Sequence, residues 1–165
     1  MAVFDLTLPG NAAVASEDPD LSVERAGTYG EFNGGPDVFT LVHFPFTIPL
    51  FFGVGPPGTA ARMRLSRVFV TFYVVRTVPV DVQVRRIRAY DGYDRLFVSP
   101  LVAIPEYDSD AAFTRYDSLV DGKNSFDITP PPWINKSISV SVAVNFGAGG
   151  GVIRFTRAGA KLVIL

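Results

Sequence analysis

The spacing of apolar and polar positions along this chain is a strand pattern from end to end. No window of a dozen residues keeps a helical period, while several runs alternate every second residue, the period of a half-buried strand. Residues 137–146 alternate most strictly. Ile138, Val140, Val142, Val144 and Phe146 fall on one face; Ser137, Ser139, Ser141, Ala143 and Asn145 fall on the other. Residues 68–75 differ, being apolar on both faces. Val68, Val70, Phe72 and Val74 share one side, and Phe69, Tyr73 and Val75 share the other, with only Thr71 between them. β-branched and aromatic residues suit a pleated, buried surface. A strand of this kind needs cover on both sides. The apolar stripe of 137–146 can supply one side. The second side calls for the N-terminal segment 3–23 folding over it, or for another copy of the chain.

After Val78, Val80, Val82 and Val84 alternate with Asp81, Gln83 and Arg85. At Arg85-Arg86 the parity flips, so that Ile87 and Ala89 become the apolar positions opposite Arg86 and Arg88. Such a flip predicts a β-bulge. Asp91-Gly92 is a hairpin-turn dipeptide, with 96–98 as the returning strand. Weaker strands are expected at 3–8, 21–24, 38–48, 126–129, 152–156 and 161–165. Pro45 and Pro49 make 38–48 an edge strand or a strand end, because proline cannot donate to a ladder. Gly27, Gly30, Gly34, Gly35 and Pro36 make 27–37 a long loop. Gly147 to Gly151 reads as a flexible connection, and Ala158-Gly159-Ala160 as a bend. Thirteen prolines and fifteen glycines punctuate the strands every ~8–15 residues, an all-β signature. The prediction is an all-β, two-sheet antiparallel sandwich, jelly-roll-like, with eight to ten strands. A single domain spans 1–165, in which 1–37 is a first strand and long loop, a candidate arm.

Composition narrows what such a sandwich could do. The chain has 165 residues, enough to bury a sizeable core without metal or disulfide. It has no cysteine, which removes disulfide frameworks and thiolate metal sites. A net charge of −1 gives no electrostatic case for a nucleic-acid partner. Charged residues are 19% of the chain against 48% hydrophobic, a balance that favours self-association. Twelve arginines stand against three lysines, which suits interfaces but also follows from a GC-rich genome. No basic and apolar leader follows Met1, and the apolar window 44–54 is short and broken by Pro45, Pro49 and Gly53. The sequence therefore predicts no signal peptide, no membrane partner and a cytoplasmic location.

A resemblance rests on ordered motifs. These are His43-Phe44-Pro45-Phe46-Thr47-Ile48-Pro49, Val68-Phe69-Val70, Arg88-Ala89-Tyr90-Asp91-Gly92 and Ser125-Phe126-Asp127-Ile128, followed by Ile138-Ser139-Val140-Ser141-Val142, Ile153-Arg154-Phe155 and Ala158-Gly159-Ala160. In that order they resemble a family of uncharacterised bacterial β-sandwich proteins, over about 38–160. The resemblance implies the sandwich fold. It implies no activity, and no catalytic residue carries over.

Catalytic chemistry has little to work with. The single histidine, His43, lies between Val42 and Phe44 and reads as packed rather than catalytic; a Ser-His-Asp site would require it beside a nucleophilic serine. Gly53-Val54-Gly55-Pro56-Pro57-Gly58 matches a dinucleotide fingerprint only formally, since prolines fill the variable positions and no helix follows. Carboxylates Glu106, Asp108, Asp110 and Asp117 could serve a hydrolase, or Asp108 and Asp110 a weak Ca²⁺ site, against the plainer reading of a solvated acidic loop. No other cofactor is implied. Arg85, Arg86 and Arg88 form a basic row, expected to pair across strands with Asp81, Asp91 and Asp94 rather than to bind phosphate.

The aromatic residues near turns carry the binding chemistry. Tyr90 and Tyr93 flank Asp91-Gly92, Asp94 follows, and Trp133 lies beside the proline run. Flat rings against pyranose faces with carboxylates accepting hydroxyls would make a glycan or small-ligand site of Tyr90, Asp91, Tyr93, Asp94 and Trp133. The plainer alternative has these rings capping the sandwich ends. Two functions follow. The first is a non-enzymatic structural or interaction subunit, a homo-oligomer self-associating through a sandwich face. The second is a lectin-like, carbohydrate- or small-ligand-binding module.

Overall fold

The computed structural model describes residues 2–46, 63–75, 82–100 and 113–164. Their strands are β1 (Ala2–Pro9), β2 (Val14–Ala15), β3 (Leu21–Ala26), β4 (Tyr29–Gly34), β5 (Phe39–Phe46), β6 (Met63–Val75) and β7 (Gln83–Asp91). After them come β8 (Asp94–Val98), β9 (Phe113–Tyr116), β10 (Ser125–Asp127), β11 (Trp133–Ile134), β12 (Ile138–Asn145) and β13 (Gly151–Ile164). One 3-10 turn, Gly10–Ala12, joins β1 to β2. All strand pairs are antiparallel. They form an eight-stranded sheet, running β10-β6-β13-β4-β3 with β1 on β13 and β9 and β11 on β6, and a five-stranded sheet, β2-β5-β12-β7-β8. The chain is thus an all-β, two-sheet antiparallel sandwich. Nine of the thirteen strands are five residues or longer. The others are short segments that pair for only part of a neighbour's length.

The core is where the two apolar stripes meet. Phe155 on β13 sits at its centre, edge-on to Phe32 at 5.7 Å and to Phe44 of the opposite sheet at 5.6 Å between ring centroids. Phe72 lies 5.9 Å from Phe155 and stacks on Tyr116 at 5.2 Å. Ile138, Val140, Val142, Val144 and Phe146 are all essentially inaccessible, as the alternation predicts.

The second face of β6 is covered by its own sheet. The tip of the Phe69 ring sits over Gly159, and the guanidinium of Arg157 is 5.3 Å from that ring. Thr71 and Thr156 hydroxyls are 2.8 Å apart. Arg154 Nη1 donates to the Tyr73 hydroxyl at 3.1 Å and its Nε donates to Glu31. Arginine stems lying on aromatic rings exclude water while their heads stay wet. The N-terminal segment does not fold over this face, on which Tyr73 and Val75 stay partly exposed. The N-terminal segment instead adds β1 to the edge of β13, β2 to the other sheet, and the β3–β4 pair to β4's neighbour β13.

Three glycine-rich segments differ from the sequence expectation. The long loop at 27–37 is mostly a hairpin between β3 and β4, turning at Gly27 with φ 52°. Its glycines serve close approach: a Cβ on Gly34 would enter the Phe146 ring, and one on Gly30 would meet the Gly10 carbonyl. Ala158-Gly159-Ala160 is not a bend but the interior of β13, because Phe69 needs the space a side chain at 159 would fill. Residues 147–150 form a tied turn, with Gly147 C=O accepting from Asp37 N–H at 2.6 Å.

Candidate functional site

The β7–β8 hairpin turns at Gly92-Tyr93, and the residues around it take unequal positions. Asp91, the last residue of β7, is 2% exposed. Its Oδ2 accepts from Asn135 N–H at 2.7 Å, and its Oδ1 accepts from Lys136 and Ser137 N–H at 2.7 and 2.8 Å. This carboxylate is turned inward and holds the approach to β12, so it is not presented to a ligand. Asp94 is exposed and pairs with Lys136 Nζ at 2.9 Å, which raises the lysine above its ordinary value. Tyr93 is 99% exposed. Trp133 belongs to the other sheet: β11 pairs with β6, and the Arg64 guanidinium lies 4.0 Å above its ring. Tyr90 sits on the outer face of the five-stranded sheet, opposite Ser139. The structure therefore joins Asp91 and Asp94 to the 135–137 segment, whereas Tyr90 and Trp133 are on different sheets. Asp108, Asp110, Glu106 and the glycine-rich 53–58 segment lie outside the described residues. Among the described residues, no three metal-ligating side chains converge.

His43 does meet a serine. Its Nδ1 lies 2.7 Å from Ser141 Oγ, and burial lowers its pKa, favouring the neutral ring. Ser141 is 1% exposed, in the middle of a strand paired on both sides. Its neighbours in register are His43 and Arg88. No carboxylate orients His43 among the described residues, and a ladder with both edges paired has no spare N–H for an oxyanion. The pair is a hydrogen bond between neighbouring strands.

The feature that the sequence did not single out lies on the same face. Residues opposite one another in a sheet share a side. On the outer side of β12, Ser139 stands between Pro45 and Tyr90, Ser141 between His43 and Arg88, Ala143 between Leu41 and Arg86, and Asn145 between Phe39 and Gln83. A central strand of small residues between two strands of large ones makes a furrow. Ser141 and Ala143 face outward yet are each only 1% exposed, because the larger side chains on either side close over them. From Ser139 to Asn145 this row of small residues spans about 20 Å.

At its Asn145 end is a depression of about 270 Å³ lined by Phe39, Arg85, Arg86, Arg88, Ala143 and Asn145. The predicted bulge builds it. Ala143 pairs with Arg86 and Val144 with Val84, so Arg85 is the extra residue. Val84 and Ile87 both stay buried, while Arg85 and Arg86, adjacent in sequence, both line the depression. The expected cross-strand pairing of these arginines is overturned for two of its three carboxylates. Asp91 is bound to backbone N–H groups and Asp94 to Lys136, while Asp81 lies outside the described residues. Among the described residues, no ion pair involves Arg85, Arg86 or Arg88. Arg85 donates to Gln83 Oε1 at 2.7 Å. Arg88 Nε is buried with no hydrogen-bond partner.

No family model and no curated protein matches the chain. Among solved structures, one similar chain is described as a low affinity xylan binding module, CBM86, from the xylanolytic gut symbiont Roseburia intestinalis. It is 8% identical with a TM-score of 0.44, over 98% of this chain and 96% of that one. A likeness of that depth transfers neither fold nor ligand.

Proposed function

We propose that the chain is a non-catalytic binding module whose ligand, a glycan, lies along the furrow over β12. The observation that supports this best is the depression lined by Phe39, Arg85, Arg86, Arg88 and Asn145. Phe39 is 56% exposed, a flat apolar surface of the kind that packs on the C–H face of a sugar ring. The guanidiniums and the Asn145 amide supply donors for ring oxygens and hydroxyls. Of the residues the sequence assigns to a glycan site, Tyr90 is the one on this face.

Glycan-array screening followed by calorimetry tests the reading. Arg86→Ala and Ala143→Trp, which removes a wall or fills the floor, abolish binding, while Tyr93→Ala and Trp133→Ala leave it intact. Loss of binding in the Tyr93 and Trp133 variants alone would move the site to the hairpin end. An array without hits would remove the glycan reading.

Self-association is the second reading, and β1 is the observation that favours it. It is an eight-residue edge strand with one charge, Asp5, and with Val3 53% and Phe4 40% exposed. Such edges template strand addition. Light scattering showing a monomer at micromolar concentration would end this reading and leave the first standing.

A further inference from the structure

We infer that the furrow selects an acidic saccharide, with uronate carboxylates held by Arg86 and Arg88; the inference rests on the binding-module reading and narrows its ligand. Three arginines line one depression of about 270 Å³, and a guanidinium has five donors and no acceptor. The other groups around it do not balance them. Gln83 Oε1 already accepts from Arg85, and Asn145 Oδ1 already accepts from Gly147 N–H at 3.0 Å. The missing partner is therefore an acceptor, and an anionic one, since three like charges on one face repel. Arg88 adds a second, independent sign. Its Nε is buried without a partner, a costly state that an acceptor would relieve once the side chain swings to meet it. Arg85 is held by Gln83; Arg86 and Arg88, alternate residues about 7 Å apart along the strand, are the forks.

Two features favour a saccharide over other acids. The exposed Phe39 ring shares the depression with the arginines, and a small inorganic anion would leave that ring unused. An extended acidic peptide would recruit main-chain hydrogen bonds from a strand edge. The floor strand β12 has none to offer, because β5 and β7 pair with it along its whole length. A chain of carboxylated rings uses charge, ring face and trough together.

The test is calorimetry on the full chain at low ionic strength. The probes are an oligogalacturonate, its fully methyl-esterified form, a neutral cello-oligosaccharide, poly-glutamate and inorganic phosphate. Oligogalacturonate binds, binding weakens as salt rises, and Arg86→Gln and Arg88→Gln each weaken it about tenfold, the scale of one charge-assisted contact. The methyl ester loses at least as much. Arg86 is exposed, so its replacement keeps the fold, which an unchanged melting curve verifies. Equal binding of the neutral or esterified probe, indifferent to Arg86→Gln, overturns the acidic class and leaves the binding module intact. Poly-glutamate or phosphate binding with the same arginine dependence, without oligogalacturonate, overturns the saccharide. Binding of no saccharide at all overturns both.

Discussion

At Asp91, one carboxylate gathers three backbone N–H groups and so fixes where β12 begins. Charged hydrogen bonds of this kind are worth more than neutral ones, and leaving a buried donor unmatched costs the group its full desolvation. Asp91→Asn keeps one oxygen but sets an NH₂ group against a backbone donor. It lowers stability by about 2–4 kcal/mol, read as a lower urea midpoint, whereas Tyr93→Ala stays within about 0.5 kcal/mol. A second carboxylate has a pH signature. The Arg67 fork binds Asp127 at 2.6 and 2.9 Å and holds it below its ordinary 3.8. A depressed folded-state value means stabilisation present above the unfolded value and lost as pH falls through the folded one. The pair is solvent-screened, with Asp127 65% exposed, so it contributes at most about 1 kcal/mol. Asp127→Asn loses that amount at neutral pH, and the two proteins converge in acid; a constant gap down to about pH 2 would contradict the linkage.

Among the elements, β13 is the strand that organises its sheet. β6 pairs along one side of it, and β4 and then β1 along the other. Its middle is kept small so that Phe69 can lie across Gly159. Gly159→Ala displaces that ring and costs about 1–3 kcal/mol, the range for overpacking; a thermal melt unchanged by the substitution would show the ring free to move. This is where the sequence pattern runs out. Alternation made β12 plain because both of its faces obey it, and the parity flip at Arg85-Arg86 marked the bulge. Ala158-Gly159-Ala160 read as a bend because the reason for its small residues is a ring 90 positions away in the chain. Gly30 and Gly34 read as loop for the same cause, their partners being Gly10 and Phe146. Period reports what a strand does to itself, not which neighbour leans on it.

The whole molecule has two outer faces of different character. On the eight-stranded sheet Arg154 engages Tyr73 and Glu31, Arg157 lies over Phe69, and Arg67 binds Asp127. On the five-stranded sheet, Arg86 and Arg88 form no ion pair among the described residues, and they stand beside a furrow. The second face carries the site proposed for the ligand. The sequence exposed the arginine row and the small outward residues of β12, but not their conjunction, because pairing of Arg86 with Ala143 is a fact of register across 57 positions. It also could not foresee that Asp91 and Asp94 would be occupied elsewhere. Backbone amide shifts recorded while a saccharide mixture is titrated into the labelled protein test the binding face most directly. Perturbations are expected only at 83–90, 39–45 and 139–145, around the depression and the small residues of β12. Perturbations centred on Tyr93 and Trp133, with the furrow silent, would contradict it.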